Sequence, residues 1–340
     1  MKTSSVKEFV LEPGTVNHTL TSSGTPIEFF NLIFSPTQRE EIMKWTNIRA
    51  QNKIDNAKRG IQKRKKWFNM KLSEFNGFIG TLYIMGIVRF PCYRMYWSAN
   101  SRIFTNQGVR DLFTFQRFQD IFSSLCFYSS DSYNANDKLY KIRPVITSML
   151  SNSQTHYIPK KVLAVDESMI SFSGRHKLIQ FMPLKPIKVG FKAFLLCETE
   201  SSYVISWKLY TNSNTASDFG KTYDTVRSLV DGIEGEGYIL YMDRYYISPQ
   251  LLLTLKELDI GACSTIKLNR LHLSKTISEQ ISALKEDDIK YFVDPQDLLL
   301  SCWFDHKKVL LMLSNFHNIE EVIVNRRVPK KRKRNSTLRT

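Results

Sequence analysis

Apolar positions in the first half of the chain recur every three or four residues; beyond Pro159 they switch to short runs and alternation. Phe75, Phe78, Ile79, Leu82 and Gly86 keep the helical period, with Ser73 placed to cap the helix and Pro91 marking its end. A second helix is predicted from Thr114, with Phe118, Ile121, Phe122 and Leu125 on one face. Ser35-Pro36 opens an earlier one, with proline at the first helical position and Glu40 and Glu41 soon after. Such stripes are core-facing. Folded sequence begins at Phe29, Phe30, Leu32, Ile33 and Phe34, whereas residues 1–25, polar and rich in Ser, Thr and Gly, are expected to be disordered.

Val162 to Val165 is a short apolar run that reads as a buried strand ending at Asp166. Alternation over 170–172, 191–197 and 203–209 predicts a meander. A helix over 218–230 follows, then a loop punctuated by Gly232, Gly235 and Gly237. Those glycines precede a strand, whereas a phosphate cradle follows a strand and opens a helix, so they read as a turn. Tyr238 to Met242 is a second buried strand ending in aspartate, Asp243. A helix over 248–258, a strand over 261–266 and strand-like stretches around Cys302-Trp303 and Val309–Leu311 complete the pattern. The chain is thus α/β, helical first and sheet-forming after.

Composition adds little to this until charge is considered. Over 340 residues, 42 % apolar and 12 % aromatic side chains suffice for two domains with real cores. No run approaches the roughly 20 apolar residues of a membrane helix, and residues 1–14 lack a signal-peptide core, so a soluble intracellular protein without membrane partners is expected. The five cysteines form no CxxC pair and the six histidines no HxxxH spacing, so no zinc is expected within the chain.

The formal charge of +16 is concentrated. Lys58, Arg59, Lys63, Arg64, Lys65 and Lys66 form one run, and residues 326–340 hold eight more basic side chains. The remainder is nearly neutral. Short basic patches are the footprint of a polyanion contact, with a solvated surface run as the bland alternative. Lys330, Lys331, Arg332, Lys333 and Arg334 read as a nuclear-import signal, giving an expected nuclear location.

Asp166 and Asp243 end two buried runs 77 positions apart. On neighbouring strands they would meet at one sheet edge, where hard divalent ions such as Mg²⁺ or Mn²⁺ relieve carboxylate repulsion. A two-ion site activates a hydroxyl nucleophile and stabilises the leaving oxygen in phosphodiester cleavage. Spacing alone leaves other roles open: a cap or turn for Asp166, an ion pair with Arg244 for Asp243.

The surrounding residues carry more. Val165-Asp166-Glu167-Ser168-Met169-Ile170, then Phe172-Ser173-Gly174-Arg175 and Pro183-Leu184-Lys185-Pro186-Ile187-Lys188-Val189-Gly190, resemble the catalytic core of piggyBac-type transposases. So do Met242-Asp243-Arg244-Tyr245-Tyr246 with Ser248, Tyr96-Trp97-Ser98 upstream, and Trp303-Phe304-Asp305 through Arg326-Arg327 downstream. The resemblance covers about residues 28–327. It implies an RNase H-like catalytic core at 158–268, preceded by a helical DNA-binding or dimerisation domain at 26–157 and followed by a β-rich insertion at 269–325 and a basic tail at 326–340.

By the same resemblance, Asp166 and Asp243 are the first two catalytic, metal-binding aspartates, with Arg175, Lys185 and Lys188 near them to contact phosphates. The concentration of charge, rather than the resemblance, marks Lys63, Arg64, Lys65 and Lys66 as DNA contacts. Implied partners are double-stranded DNA, both transposon ends and TTAA-type targets, and a homodimer is compatible. The family's Gly-Gly-Val-Asp motif with the third aspartate, and its cysteine-rich domain, do not occur in these 340 residues. The expectation is therefore a C-terminally truncated core, with a domesticated or decayed non-catalytic DNA-binding protein as the alternative.

Overall fold

A computed structural model describes residues 6–16, 20, 23–56, 66–98, 106–129, 131, 133–211, 216–271, 273–319, 323–325 and 337–339, the last two segments as backbone alone. It divides into two compact units, Val16–His156 and Met1–Thr15 with Tyr157–Thr340. Among the described residues no helix is long and apolar enough to cross a membrane.

The first unit is helical: α1 (Pro26–Ile33), α2 (Pro36–Asp55), α3 (Leu72–Ile87), α4 (Gln107–Leu112), α5 (Phe115–Ser124) and α6 (Arg143–His156). Ser35 caps α2 by accepting the Gln38 N–H, and Thr114 caps α5 by accepting that of Arg117, both at 3.2 Å. α3 instead starts at Leu72 with Lys71 at its cap, so Ser73 lies inside the first turn. Phe75, Phe78, Phe118 and Ile121 meet Ile42, Met70 and Phe113 in the core. Phe122, expected inside, is 60 % exposed: it falls at the rim of the α5 stripe and stacks on Phe118.

Asn47 fixes the chain beyond the first basic run. It accepts from Trp67 Nε1 (3.1 Å) and the Met70 N–H (2.8 Å), and donates to the Met70 carbonyl (3.1 Å). Arg117 lies over the Trp67 ring at 4.5 Å while holding Glu74 through two nitrogens, at 2.6 and 2.7 Å.

The second unit is a mixed sheet with helices. Its strands and helices are β1 (Gly14–Thr15), β2 (Tyr157–Ile158), β3 (Val162–Ser171), β4 (Ile179–Phe181), β5 (Val189–Glu198), β6 (Val204–Leu209), α7 (Lys221–Leu229), β7 (Ile239–Met242), α8 (Pro249–Glu257), β8 (Gly261–Thr265), α9 (Lys275–Ser282), β9 (Ile289–Val293), β10 (Leu299–Asp305), β11 (Lys308–Ser314), β12 (Ile323–Asn325) and β13 (Thr337–Arg339). The main sheet runs β4-β5-β3-β7-β8-β11-β10-β9, with β6 also on β5. β5 is antiparallel to β3 and β6 to β5, whereas β7 is parallel to β3 and β8 to β7. β11 joins β8 antiparallel, so the stretch expected as a β-rich insertion extends the same sheet.

Alternation along β3 and β7 sends Leu163, Val165, Leu240 and Met242 to one face. There they pack against Val226 and Leu229 of α7 and Leu251, Leu252 and Leu255 of α8, all essentially inaccessible. Fully burying one such side chain contributes about 1.5–3 kcal/mol, so this layer anchors the sheet.

Two expectations need correction. β3 does not stop at Asp166: it continues to Ser171, because antiparallel β5 still pairs with it after parallel β7 has turned away at Met242. Nor are residues 6–15 without structure. Phe9 packs on Tyr238 (ring centroids 4.9 Å), Lys7 Nζ donates to the Gly235 carbonyl (2.7 Å), and Gly14–Thr15 pairs with Tyr157–Ile158. Gly237, at φ +75°, lets the backbone of Lys7 approach where any Cβ would collide with it.

Candidate active site

β3 and β7 lie side by side, and their register ends with Val165 opposite Met242. The next residues are Asp166 and Asp243, both exposed. The side-chain period of two places them on the face opposite the buried Val165 and Met242. Each carboxylate is held by its own backbone: Asp166 Oδ1 accepts the Glu167 N–H and Asp243 Oδ1 the Arg244 N–H, both at 2.7 Å. Asp243 thus engages the main chain of Arg244, and among the described residues it makes no ion pair with that guanidinium.

The turn after Asp243 is fixed from several directions. Arg270 Nη1 donates to the carbonyls of Arg244, Tyr245 and Ile247 at 3.1, 2.8 and 3.2 Å. Ser264 Oγ donates to the Met242 carbonyl at 2.6 Å. Ser248 then caps α8 by accepting the Leu251 N–H at 3.2 Å. Asp243 therefore sits on a braced strand-to-helix turn, which is the rigid support that positioned carboxylates need.

Glu167 points to the opposite face from Asp166. The Tyr246 hydroxyl donates to its Oε2 at 3.1 Å, and Lys185 Nζ pairs with its Oε1 at 3.0 Å. Burial pushes the Glu167 carboxyl upward, but the Lys185 hydrogen bond, the Lys192 charge and the Tyr246 hydroxyl outweigh it, leaving it below the usual value. Lys185 is raised, first by its hydrogen bond to Glu167, with the charges of Asp166 and Asp243 adding to the effect. Burial, then the Glu167 charge, pushes the Tyr246 phenol far up. Lys192 lies over the rings of Phe194 (4.9 Å) and Tyr245 (5.2 Å).

Of the residues singled out in sequence, Asp166, Asp243 and Lys185 come together. Arg175 and Lys188 are exposed on the protrusion that joins β3 to β5, and neither pairs with the aspartates among the described residues. Lys66 is exposed at the foot of the Trp67 anchor. Lys63, Arg64 and Lys65, and the import run Lys330, Lys331, Arg332, Lys333 and Arg334, lie outside the described residues. Sequence reasoning missed Glu167, Lys192, Tyr246 and Arg270 as site residues. Glu167 and Tyr246 were visible inside the quoted motifs, but nothing local marks Arg270.

Two exposed carboxylates side by side offer the oxygen donors that suit a hard divalent cation. Among the described residues, no group of three His, Cys, Asp or Glu side chains could hold a metal, so these donors amount to a pair with an ammonium nearby.

Comparison with known proteins fits this geometry. A family model described as Transposase IS4 matches residues 25–339. Human PiggyBac transposable element-derived protein 2 is 25 % identical over 308 residues, covering 88 % of this chain and 49 % of that protein. Human PiggyBac transposable element-derived protein 3 is 26 % identical over 309 residues, with the same coverage. The chain spans about half the length of these relatives. Among solved structures, a piggyBac transposase synaptic complex with hairpin DNA superposes with a TM-score of 0.74 at 18 % identity, over 92 % of this chain and 65 % of that one. The fold is thus a mixed α/β arrangement similar to that of piggyBac transposase.

Proposed function

Because this chain belongs to the piggyBac transposase family, we propose that it binds double-stranded DNA and carries part of a metal-dependent centre for DNA cleavage and strand transfer. One observation carries the reading: the register of β3 and β7 delivers Asp166 and Asp243 to adjacent positions on one open edge. The order β6-β5-β3-β7-β8, three strands antiparallel in sequence and two parallel to β3, supports an RNase H-like core.

Asp166 and Asp243 would hold magnesium or manganese, which supplies Lewis-acid activation of a hydroxyl nucleophile. The chain's own part is to orient. Arg270 and Ser264 brace the Asp243 turn. Lys185, tethered to Glu167, offers a cation for a phosphate beside the aspartates. The complex of the solved neighbour with hairpin DNA supports DNA as the substrate. The basic runs at 58–66 and 326–340 support DNA contact and a nuclear location.

A second reading, DNA binding without catalysis, is favoured by one observation: the described donors stop at two carboxylates. One experiment separates the two. The purified chain is incubated with Mn²⁺ and a duplex bearing a transposon-type end, alongside Asp166→Asn. Metal-dependent nicking by the parent and none by the variant supports the cleavage reading. Binding that weakens steeply with salt, without nicking, supports the second. Neither nicking nor binding removes both.

A further inference from the structure

Between β4 and β5 the chain makes a closed knuckle. The Met182 N–H donates to the Lys188 carbonyl (2.8 Å) and the Lys185 N–H to the Met182 carbonyl (3.1 Å), which leaves Pro183 and Leu184 at the corners of a four-residue turn. Leu184 is 98 % exposed, more than any other large apolar side chain among the described residues. Proline on its N-terminal side fixes φ, and the Lys185–Glu167 ion pair ties its C-terminal side to β3. The base of the hairpin is equally tight, since a Cβ on Gly190 would collide with the Ile170 carbonyl.

This tip is neither a mobile loop nor an isolated surface apolar residue. Phe181, Ile187 and Val189 continue its exposed apolar surface, and Lys185 and Lys188 are interleaved with them. Lys185 pairs at 3.0 Å with Glu167, the residue next to Asp166 on β3, so the knuckle is tied to the strand that carries the first of the two aspartates. A leucine held out rigidly between cations suits a polyanion with an apolar interior. Stacked bases lined by phosphates have that chemistry, and leucine is among the side chains that wedge between base steps.

We infer that Leu184 is a DNA-distorting wedge: it enters the base stack beside the phosphodiester presented to Asp166 and Asp243, while Lys185 and Lys188 grip the flanking phosphates. The inference rests on the DNA-binding reading above and adds to it the residue that unstacks the duplex.

The test is permanganate reactivity of thymines along an end-labelled duplex containing TTAA, at saturating protein, with affinity measured in parallel by fluorescence anisotropy. The parent chain makes thymines at one step reactive. Leu184→Ser, a change at a solvent-exposed tip, loses that reactivity even at concentrations where anisotropy shows the duplex saturated, and Leu184→Met keeps it. Saturated binding with no reactive thymine, or reactivity unchanged in Leu184→Ser, overturns the wedge and hands the patch to an apolar protein partner. No binding by the parent chain overturns the DNA reading itself.

Discussion

β3 meets carboxylates at its start and again where parallel β7 leaves it, and the two places treat them in opposite ways. At its start, opposite Leu163, Glu198 is 1 % exposed and accepts from the Tyr157 hydroxyl (2.9 Å) and the Lys160 N–H (2.7 Å). Three residues on, Asp166 stands in solvent beside Asp243, with little besides neighbouring backbone N–H groups to hold either one. The first carboxylate is buried, with its Oε2 taken up by two donors of the fold. The second pair stays exposed with lone pairs open to solvent, the condition under which a carboxylate can serve a cation. The lesson is that residue type does not separate structural from chemical acids; the number of donors and the access of water do.

This contrast can be broken most forcefully at Glu198. Glu198→Ala leaves a half-buried hydroxyl and a backbone N–H without the buried carboxylate that accepts from them, and should cost about 2 kcal/mol in urea unfolding. A loss below about 0.5 kcal/mol would erase the distinction between the buried and the exposed carboxylates. The pH dependence sharpens it. Burial pushes the Glu198 carboxyl up, but hydrogen bonds from the Lys160 N–H, Ser201 and Tyr157 and the Lys160 charge hold it below the ordinary 4.5. A folded value below the unfolded one means stability is fully present above the unfolded value and lost as pH falls through the folded one. Acid unfolding should therefore flatten in Glu198→Gln, measured by circular dichroism below pH 4.5.

A smaller effect is expected midway. Tyr246→Phe removes one donor from Glu167 while Lys185 remains, for a loss of about 1 kcal/mol. The smallest belongs to the exposed pair: Asp166→Asn and Asp243→Asn should shift stability by no more than about 0.5 kcal/mol. Under the cleavage reading proposed above, the same variants abolish Mn²⁺-dependent nicking, so calorimetry and gel assay then read opposite outcomes. A variant that unfolds would place Asp166 among the structural acids.

What was legible in the sequence was what is decided locally. Ser35 and Thr114 cap their helices because a side-chain oxygen and an N–H three residues on suffice. The aspartates were legible because apolar runs mark the strands before them. Where a distant partner decides, the reading failed. β3 outlasts its apolar run because β5 supplies a partner through Ser171. Residues 6–15 look polar and loose, yet Phe9 finds Tyr238 from across the sequence. The α1 start, where the Glu28 carboxylate accepts the Thr25 N–H at 2.7 Å, is a local signal that was present and went unread. Arg270 braces Asp243 across 26 positions or fewer, but its three acceptors are carbonyls, which leave no trace in residue identity.

The two-residue ribbon of β1 and β2 has a consequence for how the chain is assembled. Thr15 pairs with Tyr157, and the next residues out, Val16 and His156, are joined by a 3.0 Å hydrogen bond. Topologically, the whole helical unit is the loop of a hairpin. A guest whose two ends leave the host at adjacent points can be lengthened, exchanged or removed without asking the sheet to change its own connections. Replacing residues 16–156 by a tight turn should therefore leave a contiguous sheet protein, a modular exchange that the strand pairing already permits.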